Sequence, residues 1–61
     1  MPVQIENTFW AKFYWLLENN NYSLKDAWMG ARDYTQARHH LTDLEIDEYS
    51  QSLWETFLTW C

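Results

Sequence analysis

Large apolar residues recur every three or four positions along most of this chain of 61 residues. That spacing places them on one face of an α-helix, whereas a half-buried strand would alternate apolar and polar residues. Three stretches carry the helical spacing, near residues 8–19, 24–39 and 43–60, and none alternates. The pattern therefore predicts an all-α chain of three short helices, with residues 1–6 as an N-terminal extension.

Residues in front of each stretch are suited to starting a helix. Asn7 or Thr8 can accept a hydrogen bond from the free backbone N–H groups of the first helix. Ser23 stands before the second helix, and Thr42 and Glu45 have the spacing of a capping box at the third. With a capping residue at each start and only one glycine and one proline in the chain, we predict a compact helical bundle.

Projection onto a helical wheel places most large side chains on one face of each helix, where they form a shared core. The predicted core faces are Phe9, Trp10, Phe13, Tyr14, Leu16 and Leu17 on the first helix, Leu24, Ala27, Trp28, Ala31 and Tyr34 on the second, and Ile46, Tyr49, Leu53, Phe57 and Trp60 on the third.

Large apolar side chains that fall outside these faces include Trp15, Met29, Trp54 and Leu58. Because tryptophan is common at binding hot spots, we predict that they form a self-association or partner surface. The alternative is that neighbouring helices bury them at the shoulders of the bundle. Gly30 lies inside the second helix, where glycine costs about 1 kcal/mol relative to alanine, so it marks either a kink or a tight crossing.

The aromatic content is high for so short a chain, with five Trp, four Tyr and three Phe. A domain of this size buries only about 60% of its unfolded surface. Domains shorter than about 70 residues commonly need a disulfide, a metal or an oligomer to be stable. Cys61 is the sole cysteine, so the chain cannot form an internal disulfide. We therefore expect residues 1–61 to form a single domain that homodimerisation completes.

The net charge of −5 is concentrated in the third helix. Glu45, Glu48 and Glu55 form an acidic face there, and no Lys or Arg follows Arg38. One interpretation is that this face imitates nucleic acid and occupies the basic groove of another protein. The other is that it is a solvated face that keeps the chain soluble. The sequence leaves both open.

Lys25, Arg32 and Arg38 on the second helix provide an alternative function, that of a small DNA-binding regulator of the transcription type. Phosphate neutralisation by Lys and Arg supplies most non-specific affinity for DNA, and the acidic third helix opposes it. We therefore expect direct nucleic-acid binding to be disfavoured relative to binding of a protein partner.

Residues that could carry chemistry are few. His39 and His40 are neighbours and point about 100° apart on a helix, whereas paired helical ligands stand four residues apart. We interpret them as closing the second helix, where cationic side chains are favoured. There is no glycine-rich phosphate loop, no signal peptide and no apolar run of about 20 residues. We predict no metal, no cofactor, no membrane span, no enzymatic activity and a cytoplasmic location.

In size, acidity, aromatic content and helical character, the chain resembles the small accessory proteins encoded in early regions of lambda-like bacteriophages. The features that carry this resemblance include Phe9-Trp10 through Tyr14-Trp15 and Leu53-Trp54. It implies a phage or prophage accessory protein that modulates a host protein by non-catalytic contact in the bacterial cytoplasm. It transfers no functional residue to a position of this chain.

Overall fold

Three consecutive α-helices make up the computed structural model, which describes residues 2–60. They are α1 (Val3–Asn19), α2 (Leu24–His39) and α3 (Asp43–Trp60), and residues 2–60 contain no strand. The bounds of α2 and α3 coincide with the predicted ones. The radius of gyration is 10.8 Å, close to the value of about 10.5 Å expected for a compact chain of this length.

The start of α1 differs from the prediction, because the helix begins at Val3 and includes most of the predicted extension. Pro2 occupies the N-cap, and its carbonyl accepts a hydrogen bond from the backbone N–H of Glu6 at 3.2 Å. Ile5 is buried in this added turn, so tertiary packing outweighs the local capping signals further along. Thr8 therefore lies inside the helix, where its hydroxyl donates to the carbonyl of Gln4.

The predicted caps of α2 and α3 are confirmed. The Ser23 hydroxyl accepts from the backbone N–H of Asp26 at 3.2 Å. Thr42 and Glu45 form a reciprocal capping box, with bonds of 3.1 and 2.9 Å between each side chain and the other residue's backbone N–H. His40 closes α2 in the left-handed conformation, with φ of 55°.

The centre of the core is an aromatic cluster in which rings meet mainly edge to face. Phe9 and Phe13 are fully buried, and their ring centroids lie 4.7 and 5.3 Å from that of Trp28. Trp10 joins α1 to the end of α3, with centroids 6.2 Å from Phe57. Such contacts add to the burial of large apolar area, which dominates the stability of small cores.

The two helices α1 and α2 approach closely along a surface of small residues. Ala27 and Ala31 are fully buried, and a Cβ added to Gly30 would lie 2.7 Å from Cδ1 of Leu16. Of the two interpretations of this glycine, the tight crossing is therefore supported, since α2 is continuous through it.

Helix α3 packs on the bundle through buried Ile46 and Leu53, and its Asp47 forms an ion pair with Arg32 of α2. Among residues 2–60, no helix is both long and apolar enough to cross a bilayer.

Four residues assigned to the core faces are in fact largely exposed. They are Tyr14, Leu24, Tyr34 and Trp60. The wheel treats each helix as if one wide face were covered, but a helix in a three-helix unit contacts its neighbours over a narrower arc and along only part of its length. Trp60 lies in the last described turn of α3, is 63% exposed, and has its ring centroid 5.5 Å from that of Trp10.

Candidate protein-binding surfaces

An apolar groove runs between the first half of α2 and the second half of α3. It is lined by Leu24, Lys25, Trp28, Met29 and Trp54 and has a volume of about 380 Å³. Its floor is the Trp28 ring, against which the Trp54 ring packs edge to face with centroids 5.0 Å apart. We refer to these five residues as the apolar groove.

Three of the eleven exposed large apolar side chains among the described residues line this groove. Met29 is 48% exposed, Trp54 41% and Leu24 55%. Leu58 follows Trp54 by one helical turn and is exposed as well, so it extends the α3 side of the surface. The structure thus brings together Met29 and Trp54, two of the four predicted interface residues from different helices, and places Leu58 beside them.

Trp15, the fourth predicted interface residue, lies elsewhere. It lines a second groove between α1 and α2, which shares no residue with the first and also has a volume of about 380 Å³. The lining residues of this cationic groove are Thr8, Ala11, Lys12, Trp15, Tyr34 and Arg38. The four predicted residues therefore occupy two surfaces.

Lys12 is the central side chain of the cationic groove. Its Nζ lies 4.6 Å from the centroid of the Trp15 ring and 4.7 Å from that of Tyr34. These distances are typical of cation–π contacts. The two rings therefore hold the ammonium group between α1 and α2, and Arg38 adds a second cation.

The three cations of the predicted DNA-binding helix do not form one patch. Arg32 is paired with Asp47, Lys25 lies at the apolar groove and Arg38 at the cationic groove. DNA binding stays a prediction, and this distribution does not favour it, because phosphate neutralisation depends on cations that reach one backbone together.

The acidic residues of α3 divide into two groups. Asp43, Glu45 and Asp47 are engaged within the chain: Asp43 accepts from Gln36, Glu45 belongs to the capping box, and Asp47 pairs with Arg32. Glu48 and Glu55 are exposed, and neither side chain has a hydrogen-bond or ion-pair partner within residues 2–60. Of the predicted acidic face, these two glutamates are therefore the members free to bind.

The histidines have structural positions at the end of α2. Thr8 has a single hydroxyl hydrogen, which it donates to Gln4, so the 2.8 Å contact with Nε2 of His39 requires that nitrogen to donate. His40 provides the left-handed cap. The described part of the chain contains no group of three or more His, Cys, Asp or Glu residues that could hold a metal ion. Cys61 lies outside the described residues.

The cationic groove was not predicted from the sequence. Lys12 and Trp15 stand three residues apart on α1, which is the spacing of helical neighbours and a signal for their contact. Tyr34 and Arg38 come from α2, and only the crossing at Gly30 brings them to α1.

Comparison of the chain with family models, with curated proteins and with solved structures finds no match. Function is therefore inferred from the two grooves and from the acidic surface of α3.

Proposed function

We propose that this chain is a non-catalytic protein-interaction module that binds an amphipathic helix of a partner protein in the apolar groove. The supporting observation is that Met29 and Trp54, which both fall outside the predicted core faces of their helices, line one apolar groove while remaining nearly half exposed. Exposed apolar surface that is concentrated in one place commonly marks a binding site.

The geometry of the groove favours a helical ligand. Its walls are two helices, and a third amphipathic helix fits such a groove through apolar side chains spaced three or four residues apart. Trp54 is the expected anchor, because tryptophan buries a large area with few rotatable bonds. Leu58 then extends the contact by one turn along α3.

Charge bears on the choice of partner at two ranges. The chain carries −5 overall, and such a net charge increases the association rate of a basic partner protein more than it increases the final affinity. The groove itself is lined by one charged residue, Lys25. A basic partner protein is therefore favoured at long range, and an acidic side chain of its helix is favoured next to Lys25.

We also propose a biological setting for this binding. The resemblance to phage accessory proteins supports a role in modulating a host protein in the bacterial cytoplasm, through occupancy of a binding surface rather than through chemistry. The described residues offer two open grooves, which supports binding as the activity.

The test is capture of partner proteins from a bacterial lysate with the wild type, Met29→Glu and Ala37→Glu. Met29→Glu places a charge in the apolar groove, whereas Ala37→Glu adds the same charge to an exposed position of the same helix outside both grooves. We expect proteins retained by the wild type and by Ala37→Glu to be lost with Met29→Glu. Equal retention by all three, with circular dichroism unchanged, would exclude the apolar groove as the binding site.

A further inference from the structure

The cationic groove holds positive charge that has no counterpart within the described chain. Residues 2–60 contain a single ion pair, between Arg32 and Asp47, so Lys12 and Arg38 face the groove without a carboxylate partner. Two of the four Lys and Arg residues thus meet at one site of a chain whose net charge is −5. Such a site is complementary to an anionic ligand.

The chemistry of the groove favours carboxylates over nucleic acid. Single-stranded nucleic acid binds by stacking bases on aromatic faces beside cations, but one face of the Trp15 ring and one of the Tyr34 ring are already covered by Nζ of Lys12. The ammonium and guanidinium groups remain able to donate to carboxylates.

A matching set of carboxylates lies on α3 of the same chain. The outer stripe, on the side opposite buried Ile46 and Leu53, is formed by residues at helical spacings of four, three, four and three. These residues are Leu44, Glu48, Gln51, Glu55 and Leu58, and all five are exposed. Leu44 is 69% exposed although it is a large apolar side chain.

The distance between the two glutamates of the outer stripe matches the length of the cationic groove along α1. Glu48 and Glu55 stand seven residues apart, which is about 10 Å along a helix. Thr8 and Trp15, at the two ends of the groove on α1, are also seven residues apart. A helix lying along the groove can therefore present one glutamate near each end, with a leucine beyond each glutamate.

We propose that the outer stripe of α3 binds in the cationic groove of a second copy of this chain, with Glu48 and Glu55 paired to Lys12 and Arg38. The contact joins two unlike surfaces, the outer stripe of one copy and the cationic groove of the other, and it brings opposite charges together although each copy is acidic. It leaves the five residues of the apolar groove uncovered but covers Leu58, which extends that groove along α3, so a second copy and the proposed partner helix would compete for Leu58.

A charge-swap experiment tests the proposal. The first variant, Lys12→Glu/Arg38→Glu, makes the groove acidic, and the second, Glu48→Lys/Glu55→Lys, makes the stripe basic. Each variant alone brings like charges together, whereas a mixture of the two restores opposite charges at the contact. The wild type, each variant and the mixture are compared by sedimentation equilibrium at concentrations up to about 1 mM, which detects even a weak contact.

We expect the wild type to associate and to dissociate progressively as salt screens the contact. Each variant alone should raise the dissociation constant at least about tenfold, and the equimolar mixture should associate again. Glu18→Lys/Asp33→Lys is the matched control, because it adds the same positive charge as the second variant at exposed positions outside the groove and the stripe. Circular dichroism verifies that every variant is folded.

Several results would overturn the proposal. A wild type that is monomeric at every concentration would do so, as would a mixture that remains monomeric. Association that survives both charge variants but is lost in both Met29→Glu and Trp54→Ala would assign self-contact to the apolar groove. Binding of a labelled single-stranded oligonucleotide that Lys12→Glu/Arg38→Glu abolishes, without self-association, would assign the groove to nucleic acid.

Discussion

Gly30 of α2 faces the side chain of Leu16 of α1 with no room for a methyl group between them. An added Cβ on Gly30 would stand 2.7 Å from Cδ1 of Leu16, well inside van der Waals contact. Leu16 is buried, so its methyl group has little free space into which it can move. The absence of a side chain at Gly30 therefore sets the distance between α1 and α2.

Gly30→Ala is expected to lower the free energy of unfolding by about 1 kcal/mol. Alanine gains about 1 kcal/mol of helix propensity over glycine, but overpacking a core commonly costs about 1–3 kcal/mol. We expect the steric cost to exceed the gain because the clash falls on a buried side chain. Urea denaturation followed by circular dichroism measures the difference.

Leu16→Val supplies the control, since it removes Cδ1. In the Leu16→Val background, Gly30→Ala should be neutral or stabilising, because the helix propensity remains and the clash is gone. If Gly30→Ala stabilises the chain with Leu16 intact, the contact does not set the helix spacing.

Thr35→Val is expected to raise the free energy of unfolding by about 1 kcal/mol. Thr35 is fully buried, and its hydroxyl has no hydrogen-bond partner within residues 2–60. A buried unpartnered polar group costs about 1–3 kcal/mol, and valine replaces the hydroxyl by a methyl group of similar size. Thr56→Val is the matched control, because the Thr56 hydroxyl donates to the carbonyl of Ser52. Thermal denaturation measures both variants. An equal increase in the free energy of unfolding at both positions would mean that valine is stabilising wherever it replaces threonine, and not that the unpartnered Thr35 hydroxyl is costly.

The helices were predictable from the sequence because local chemistry determines them. The spacing of large residues gave three helices, and the capping box of Thr42 and Glu45 placed the start of α3 correctly. The start of α1 was predicted near residue 8 because Asn7 and Thr8 are good capping residues. It lies at Val3 because Ile5 reaches the core, and a cap signal carries no information about that contact.

The residues that line each groove are harder to predict from the sequence than the helices, because they depend on how the helices pack together. The wheel separated Met29 and Trp54 from the core faces correctly, since both are exposed. It did not indicate that they would meet, nor that Trp15 would lie in a different groove. Those relationships depend on how α1 and α3 pack against α2, which a separate projection of each helix omits.

The ion pair between Arg32 and Asp47 is expected to contribute little to stability. The side chain of Asp47 is 60% exposed, and exposed pairs contribute about 1 kcal/mol or less because solvent screens them. A double-mutant cycle with Arg32→Ala and Asp47→Ala should give a coupling energy below about 1 kcal/mol that decreases at high salt. A salt-insensitive coupling of several kcal/mol would mean that this pair is what holds α3 in place.

Trp54→Ala and Trp15→Ala should differ in stability although the two side chains are similarly exposed. Trp54 packs edge to face on Trp28 and also lies 5.8 Å from Phe57 between centroids, whereas the recorded ring contact of Trp15 is with Nζ of Lys12. We expect Trp54→Ala to lower the free energy of unfolding by about 1–2 kcal/mol, since aromatic pairs add to area burial. Trp15→Ala should cost less than about 1 kcal/mol, which is the range of an exposed cation–π contact.

Urea denaturation of both variants, with Trp54→Phe as a third, measures this difference. Phenylalanine keeps an aromatic edge against Trp28, so Trp54→Phe should recover more than half of the lost stability. A Trp15→Ala variant as destabilised as Trp54→Ala would place Trp15 in the core rather than in an open groove. Because Trp54 supports the floor of the apolar groove as well as lining it, a loss of partner binding in Trp54→Ala must be compared with Met29→Glu before it is assigned to contact.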